Sequence, residues 1–100
     1  MRFETVRFSE INRYLGKDNA LIVDLRDQME YKRGHLEYAI NIPYEEIEAN
    51  LELLYPYETI VLYCDRGNLS LRAARNLAQK GLFTINLAGG LRAYRGNLVK

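Results

Sequence analysis

The chain has 100 residues, 48% hydrophobic and 27% charged, with seven Gly, two Pro and a formal net charge of +1. That length makes one domain, residues 1–100, able to bury roughly 65% of its unfolded surface, and the composition excludes collagen-like, coiled-coil and broadly disordered chains. No apolar run approaches the roughly 20 residues of a membrane helix, and the start alternates charged with apolar residues instead of forming a signal-peptide core, so the expectation is a soluble cytoplasmic protein with no membrane partner.

In chain order, Thr5-Val6-Arg7-Phe8 predicts a short strand. Ser9 is the expected cap of a short helix carrying Ile11, Tyr14 and Leu15 on one face and stopped by Gly16. Ala20-Leu21-Ile22-Val23 is a continuous apolar run with β-branched members, which suits a strand covered on both faces. Asp27 and Glu30 stand at capping-box spacing for a helix running through about Lys32, with Gly34 as its stop. Ala39-Ile40-Asn41-Ile42 predicts a brief strand ended by Pro43. Ile47, Leu51 and Leu54 recur at helical intervals opposite a cluster of glutamates, and Pro56 closes that helix.

Thr59-Ile60-Val61-Leu62-Tyr63 predicts a buried strand, and a loop from Cys64 to Leu69 leads into a helix expected over Ser70 to Lys80. Leu71, Ala74, Leu77 and Ala78 form the inner stripe of that helix, Arg72, Arg75 and Gln79 look outward, and Gly81 sits at the C′ position. Thr84 to Leu87 is a further strand, Gly89-Gly90 a turn, and Leu91 to Arg95 a last helical turn or two. Strands alternating with helices through short loops predict an α/β fold. Its central sheet is small and mostly parallel, with about five strands and helices on both faces. Sites in such sheets form beyond the carboxyl ends of strands, where Cys64 stands.

Cys64 is the single cysteine and His35 the single histidine, so no intramolecular disulfide and no Cys/His zinc cluster can form. Charge is uneven. Residues 1–63 carry seven Lys/Arg against twelve Asp/Glu, or −5, and residues 64–100 carry seven Lys/Arg against Asp65 alone, or +6. This predicts a positive region able to draw small anions. The tyrosines show no basic–aromatic interleaving, so no nucleic-acid partner is expected.

The strand–Cys–loop–helix unit is the chemical signal. The loop Cys64-Asp65-Arg66-Gly67-Asn68-Leu69 can curl around the sulfur, with Gly67 relieving backbone strain. The helix that follows aims unpaired N–H groups and its positive end at the same point. Such a cradle holds a thiolate, a bound oxyanion or a sulfur-bearing adduct of the cysteine, and Arg66 adds positive charge. Ser70 reads as the N-cap first and a site contributor second. Asp24 and Arg26 follow a strand end and read as an ion pair that fixes a loop, and His35 reads as a structural hydrogen-bonding residue.

Three motifs then occur in order: Asp24-Leu25-Arg26 with Glu30-Tyr31, Gly34-His35-Leu36 and Ala39-Ile40-Asn41-Ile42-Pro43; Val61-Leu62-Tyr63-Cys64 with Gly67, Ser70, Ala73-Ala74, Leu77 and Gly81; and Leu87-Ala88-Gly89-Gly90-Leu91 with Ala93-Tyr94. On these the chain resembles the single-domain rhodanese-like sulfurtransferases across nearly its whole length. The resemblance implies a rhodanese-like fold and an enzyme that moves sulfane sulfur from thiosulfate or a persulfide to a thiophilic acceptor. Cys64 would carry the sulfur as a persulfide, and backbone N–H groups from Asp65 to Ser70 would hold it. The acceptor would be cyanide, a small thiol or a protein thiol, and neither metal nor organic cofactor is needed.

Two residues depart from the family loop. Asp65 stands where an Arg is usual, and Leu69 stands where a basic residue helps hold an anionic donor. A non-enzymatic interaction module is the alternative reading. A Cys-dependent phosphatase or arsenate reductase is a distant third, because its C-x5-R loop needs Arg at position 70, where this chain has Ser70.

Overall fold

The two continuous apolar runs become neighbouring strands because each feeds both faces of a sheet. In the computed structural model, which describes residues 2–100, the strands are β1 (Arg2–Arg7), β2 (Ala20–Asp24), β3 (Ile40–Asn41), β4 (Thr59–Tyr63) and β5 (Phe83–Ala88). They form one all-parallel sheet in the order β1-β5-β4-β2-β3. β2 and β4 pair in register from Ala20 opposite Thr59 to Asp24 opposite Tyr63.

Side chains alternate across these strands and make two cores. Leu21, Val23, Ile60 and Leu62 face one side, packed with Ile47, Leu54, Ala73, Ala74 and Leu77. Ile22, Val61, Tyr63, Ile85 and Leu87 face the other, packed with Phe8, Ile11, Leu36 and Ala39. The helices α2 (Leu51–Leu54) and α3 (Asn68–Ala78) cover the first face. The second is covered by 3-10 helices at Phe8–Arg13 and Leu91–Ala93 and by the segment around Leu36. The short helix α1 (Gln28–Arg33) buries no residue.

Boundaries shift from the sequence reading where tertiary packing intervenes. β1 begins at Arg2 because it runs the full length of β5, from Arg2 opposite Phe83 to Arg7 opposite Ala88. Ser9 caps nothing: a 3-10 helix starts at Phe8, since Phe8 and Ile11 must both turn into the core. Asp27 does cap α1, its carboxylate accepting the Glu30 N–H at 2.8 Å. The expected helix over 47–54 is broken into 3-10 turns at Tyr44–Glu46 and Glu48–Asn50 and the single α turn of α2. Like charges at helical spacing, Glu45 with Glu48 and Glu48 with Glu52, work against one continuous helix. Leu91 to Arg95 shortens to the 3-10 helix Leu91–Ala93.

The helix α3 starts two residues early, at Asn68, with Gly67 in the left-handed conformation as its N-cap. Ser70 is therefore not the cap but a buried first-turn residue, and the inner stripe runs through Ser70, Ala73, Ala74, Leu77 and Ala78, with Leu71 half-buried. At the other end the Gly81 N–H donates to Ala78 O and the Leu82 N–H to Leu77 O, the two bonds of a Schellman turn.

Candidate active site

All five strands point the same way, so the segments after β2, β4 and β5 meet at one edge of the sheet. The Cys64 loop is docked there by backbone bonds: the Leu91 N–H donates to Cys64 O at 2.8 Å and the Arg92 N–H to Asp65 O at 3.2 Å. That junction requires glycine. A Cβ on Gly90 would overlap the Asp65 carbonyl, and one on Gly67 would press on the Gly89 nitrogen.

Within the loop the chain curls around the sulfur. Cys64 is 2% exposed. Its Sγ accepts the Gly67 N–H at 3.1 Å and the Ser70 N–H at 3.3 Å, and the Ser70 hydroxyl lies 3.5 Å away. Gly67 is the N-cap of α3 and Ser70 its third residue, so these are the two N–H groups that a capping box satisfies with side chains. Here one sulfur accepts both. The Ser70 hydroxyl is free of that duty and lies between Asn86 Oδ1 of β5 and the Gly67 carbonyl, fixing the first turn to the sheet. Asn86 in turn reaches Thr5 Oγ1 at 3.5 Å.

The neighbouring loop rests on a buried ion pair. Asp24 is fully buried and grips Arg26 three ways: its Oδ1 accepts the backbone N–H at 2.9 Å and Nε at 3.1 Å, and its Oδ2 accepts Nη2 at 2.9 Å. Arg26 Nη2 also donates to Gly34 O at 2.6 Å, and Asn41 Nδ2 straps the loop by donating to Asp24 O and Arg26 O. Burial opposes the Arg26 charge, but the hydrogen bond and charge of Asp24 outweigh it and hold the guanidinium above its usual range. Burial first, and Asp24 second, push the Tyr63 phenol up. The Tyr63 hydroxyl accepts the Leu36 N–H at 3.1 Å.

A cavity of about 290 Å³ opens over the sulfur, walled by Leu25, Arg26, Asp27, Glu30 and Glu45 together with the loop residues Cys64, Asp65, Arg66, Asn68 and Leu69. A larger cavity of about 370 Å³, bounded by Tyr14, Lys17, Asp18, Tyr38 and Tyr57, lies near the amino end of β2, away from Cys64. The cavity over Cys64 brings together Cys64, Asp65, Arg66, Asn68, Leu69 and Arg26, with Gly67 and Ser70 beneath the sulfur. Asp24 sits behind Arg26. His35 stands apart, stacked on Tyr31 with ring centres 3.7 Å apart and its Nδ1 2.8 Å from Tyr31 O.

The charge of this cavity differs from the sequence expectation. Four carboxylates (Asp27, Glu30, Glu45 and Asp65) line it against two guanidiniums. The arginines of residues 64–100 other than Arg66 do not line it. Sequence halves misled because Asp27, Glu30 and Glu45 fold back onto the loop of the basic half. Sequence reasoning also missed Asn86, whose signal was a polar side chain inside a buried strand, and Glu45, which left none.

The pattern of the rhodanese-like domain matches residues 8–97. A tRNA sulfurtransferase of Desulfurococcus amylolyticus is 40% identical over 82% of this chain, and the match spans 16% of that relative's length. A thiosulfate sulfurtransferase of Escherichia coli is 32% identical over 70% of this chain and 69% of its own. The crystal structure of a rhodanese-like domain protein from Staphylococcus aureus superposes with a TM-score of 0.82 at 28% identity, covering 99% of this chain and 97% of that one.

Proposed function

The chain belongs to the rhodanese-like family, and from that premise we propose that it is a sulfurtransferase working through a Cys64 persulfide. The observation that carries the reading is Cys64 Sγ at the floor of a cavity, held by the N–H groups of Gly67 and Ser70. Relatives named tRNA sulfurtransferase and thiosulfate sulfurtransferase support it.

The Cys64 thiolate attacks the outer sulfur of a donor such as thiosulfate or an organic persulfide. A new S–S bond forms to Cys64, the donor's S–S bond breaks, and its electron pair leaves on sulfite or on a thiolate. An acceptor thiolate or cyanide then attacks the outer sulfur of the Cys64 persulfide, and the Cys64 thiolate departs with the bonding pair. The N–H groups aimed at Sγ stabilise the resting thiolate and the Cys64 thiolate that departs in the second step. The N–H groups from Asp65 to Ser70 are the proposed cradle for the outer sulfur, and Arg26, held by Asp24, keeps the facing wall in place.

The test is the intact mass of the protein after incubation with thiosulfate or an organic persulfide. A gain of one sulfur atom, removed by a thiol reductant and absent in Cys64→Ala, is the expected result. If no donor adds sulfur to Cys64, the enzymatic reading fails and the interaction module replaces it.

A further inference from the structure

Taking sulfur transfer through Cys64 as its basis, we propose that the cavity selects a positively charged organic persulfide as sulfur donor, with Glu30 and Glu45 as specificity-determining residues. Six charged groups line the route to the sulfur: Asp27, Glu30, Glu45, Asp65, Arg26 and Arg66. The two cations do not balance the four carboxylates. Arg26 is neutralised by the buried Asp24, with Nη2 2.9 Å from Oδ2 and only 9% of its side chain exposed, and it also feels the charge of Glu30. Arg66 is 72% exposed, with its Nε 4.0 Å from Asp65 Oδ2. Among the described residues, Asp27, Glu30 and Glu45 form no ion pair. The unbalanced charge over the nucleophile is therefore negative.

An incoming dianion such as thiosulfate meets repulsion within a Debye length of about 8 Å, where salt screens it least. Leu69 offers no compensating donor on the wall, which is apolar at that point. A persulfide bearing an ammonium group places its positive charge among these carboxylates while its outer sulfur faces Sγ. The transfer itself is balanced: Cys64–S⁻ takes the outer sulfur of R–S–SH, the S–S bond of the donor breaks, and R–S⁻ leaves.

The experiment compares loading rates of the intact protein from thiosulfate and from 2-aminoethyl persulfide, read as mass gain, in the native chain and in Glu30→Gln/Glu45→Gln. The expected result is a crossing. The double variant loads about threefold or more faster from thiosulfate and about threefold or more slower from the cationic donor. Raising salt moves the native chain in the same two directions. A variant that merely disturbed the fold would slow both donors together, and that result, or no change with either, overturns the proposal. If neither donor adds sulfur to the native chain, the sulfur-transfer reading fails and takes this proposal with it.

Discussion

Cys64 Sγ fills the place of a capping side chain, so substitutions there separate chemistry from stability. Cys64→Ser keeps an acceptor in front of the Gly67 and Ser70 N–H groups, and Cys64→Ala leaves both without one. Loss of a cap costs about 0.5–2 kcal/mol. Both variants should be inactive, with Cys64→Ala less stable than Cys64→Ser by that margin in urea unfolding; equal midpoints would mean the sulfur does not cap the helix. Tyr63 makes a second residue-scale prediction. Its folded-state phenol is pushed above the ordinary value of about 10 by burial and by Asp24, so the unfolded chain releases this proton first as pH rises. The stability it contributes is complete below about pH 10 and is lost as pH climbs beyond, at up to about 1.4 kcal/mol per pH unit. Tyr63→Phe should flatten that alkaline loss while costing about 1–3 kcal/mol at neutral pH, because the Leu36 N–H loses its acceptor. Unfolding free energies measured from about pH 8 to 11 decide it, and an unchanged alkaline slope would assign the loss to other groups.

At the scale of elements, the site depends on two loops meeting through backbone alone. Gly90→Ala would drive a methyl into the Asp65 carbonyl and push the Cys64 loop away from the sheet. The expected cost is about 2–4 kcal/mol, with sulfur loading slowed about a hundredfold because the cradle is displaced. A loading rate within twofold of the native chain would show that this junction does not position the sulfur. What sequence revealed follows the same division. β4 emerged residue for residue from Thr59 to Tyr63, because a buried parallel strand is marked by an unbroken apolar run. The Cys64 loop was legible because every part of it is local: a strand end, a glycine, a helix start. The segment from Tyr44 to Leu54 was not, since its apolar spacing reads as one helix while the chain forms two 3-10 turns and a single α turn, with like-charged glutamates working against continuity. The placement of Glu45 beside Cys64 is purely tertiary, and no local pattern announces it.

At the scale of the molecule, the order β1-β5-β4-β2-β3 puts partners far apart in the chain next to each other in space. β1 bonds to β5, with Arg2 opposite Phe83, and the Cys64 loop hangs on Gly90, Leu91 and Arg92. A chain ending at Leu82 should therefore fail to fold, giving no protease-resistant core and no sulfur loading; a resistant fragment that still loads would place the organising contacts within residues 1–82. Such long-range pairing slows folding, because chain entropy is lost before contacts compensate. It also sets a timetable during synthesis. β1 leaves the ribosome before the other four strands yet has no strand to pair with until β5 follows, and Cys64 emerges well before the segment that docks its loop. In that interval the thiol has its neighbours in sequence but not its cradle, open to passing oxidants and electrophiles. The turn that follows β5 does more than leave the sheet: it closes the period in which the nascent chain is chemically unguarded.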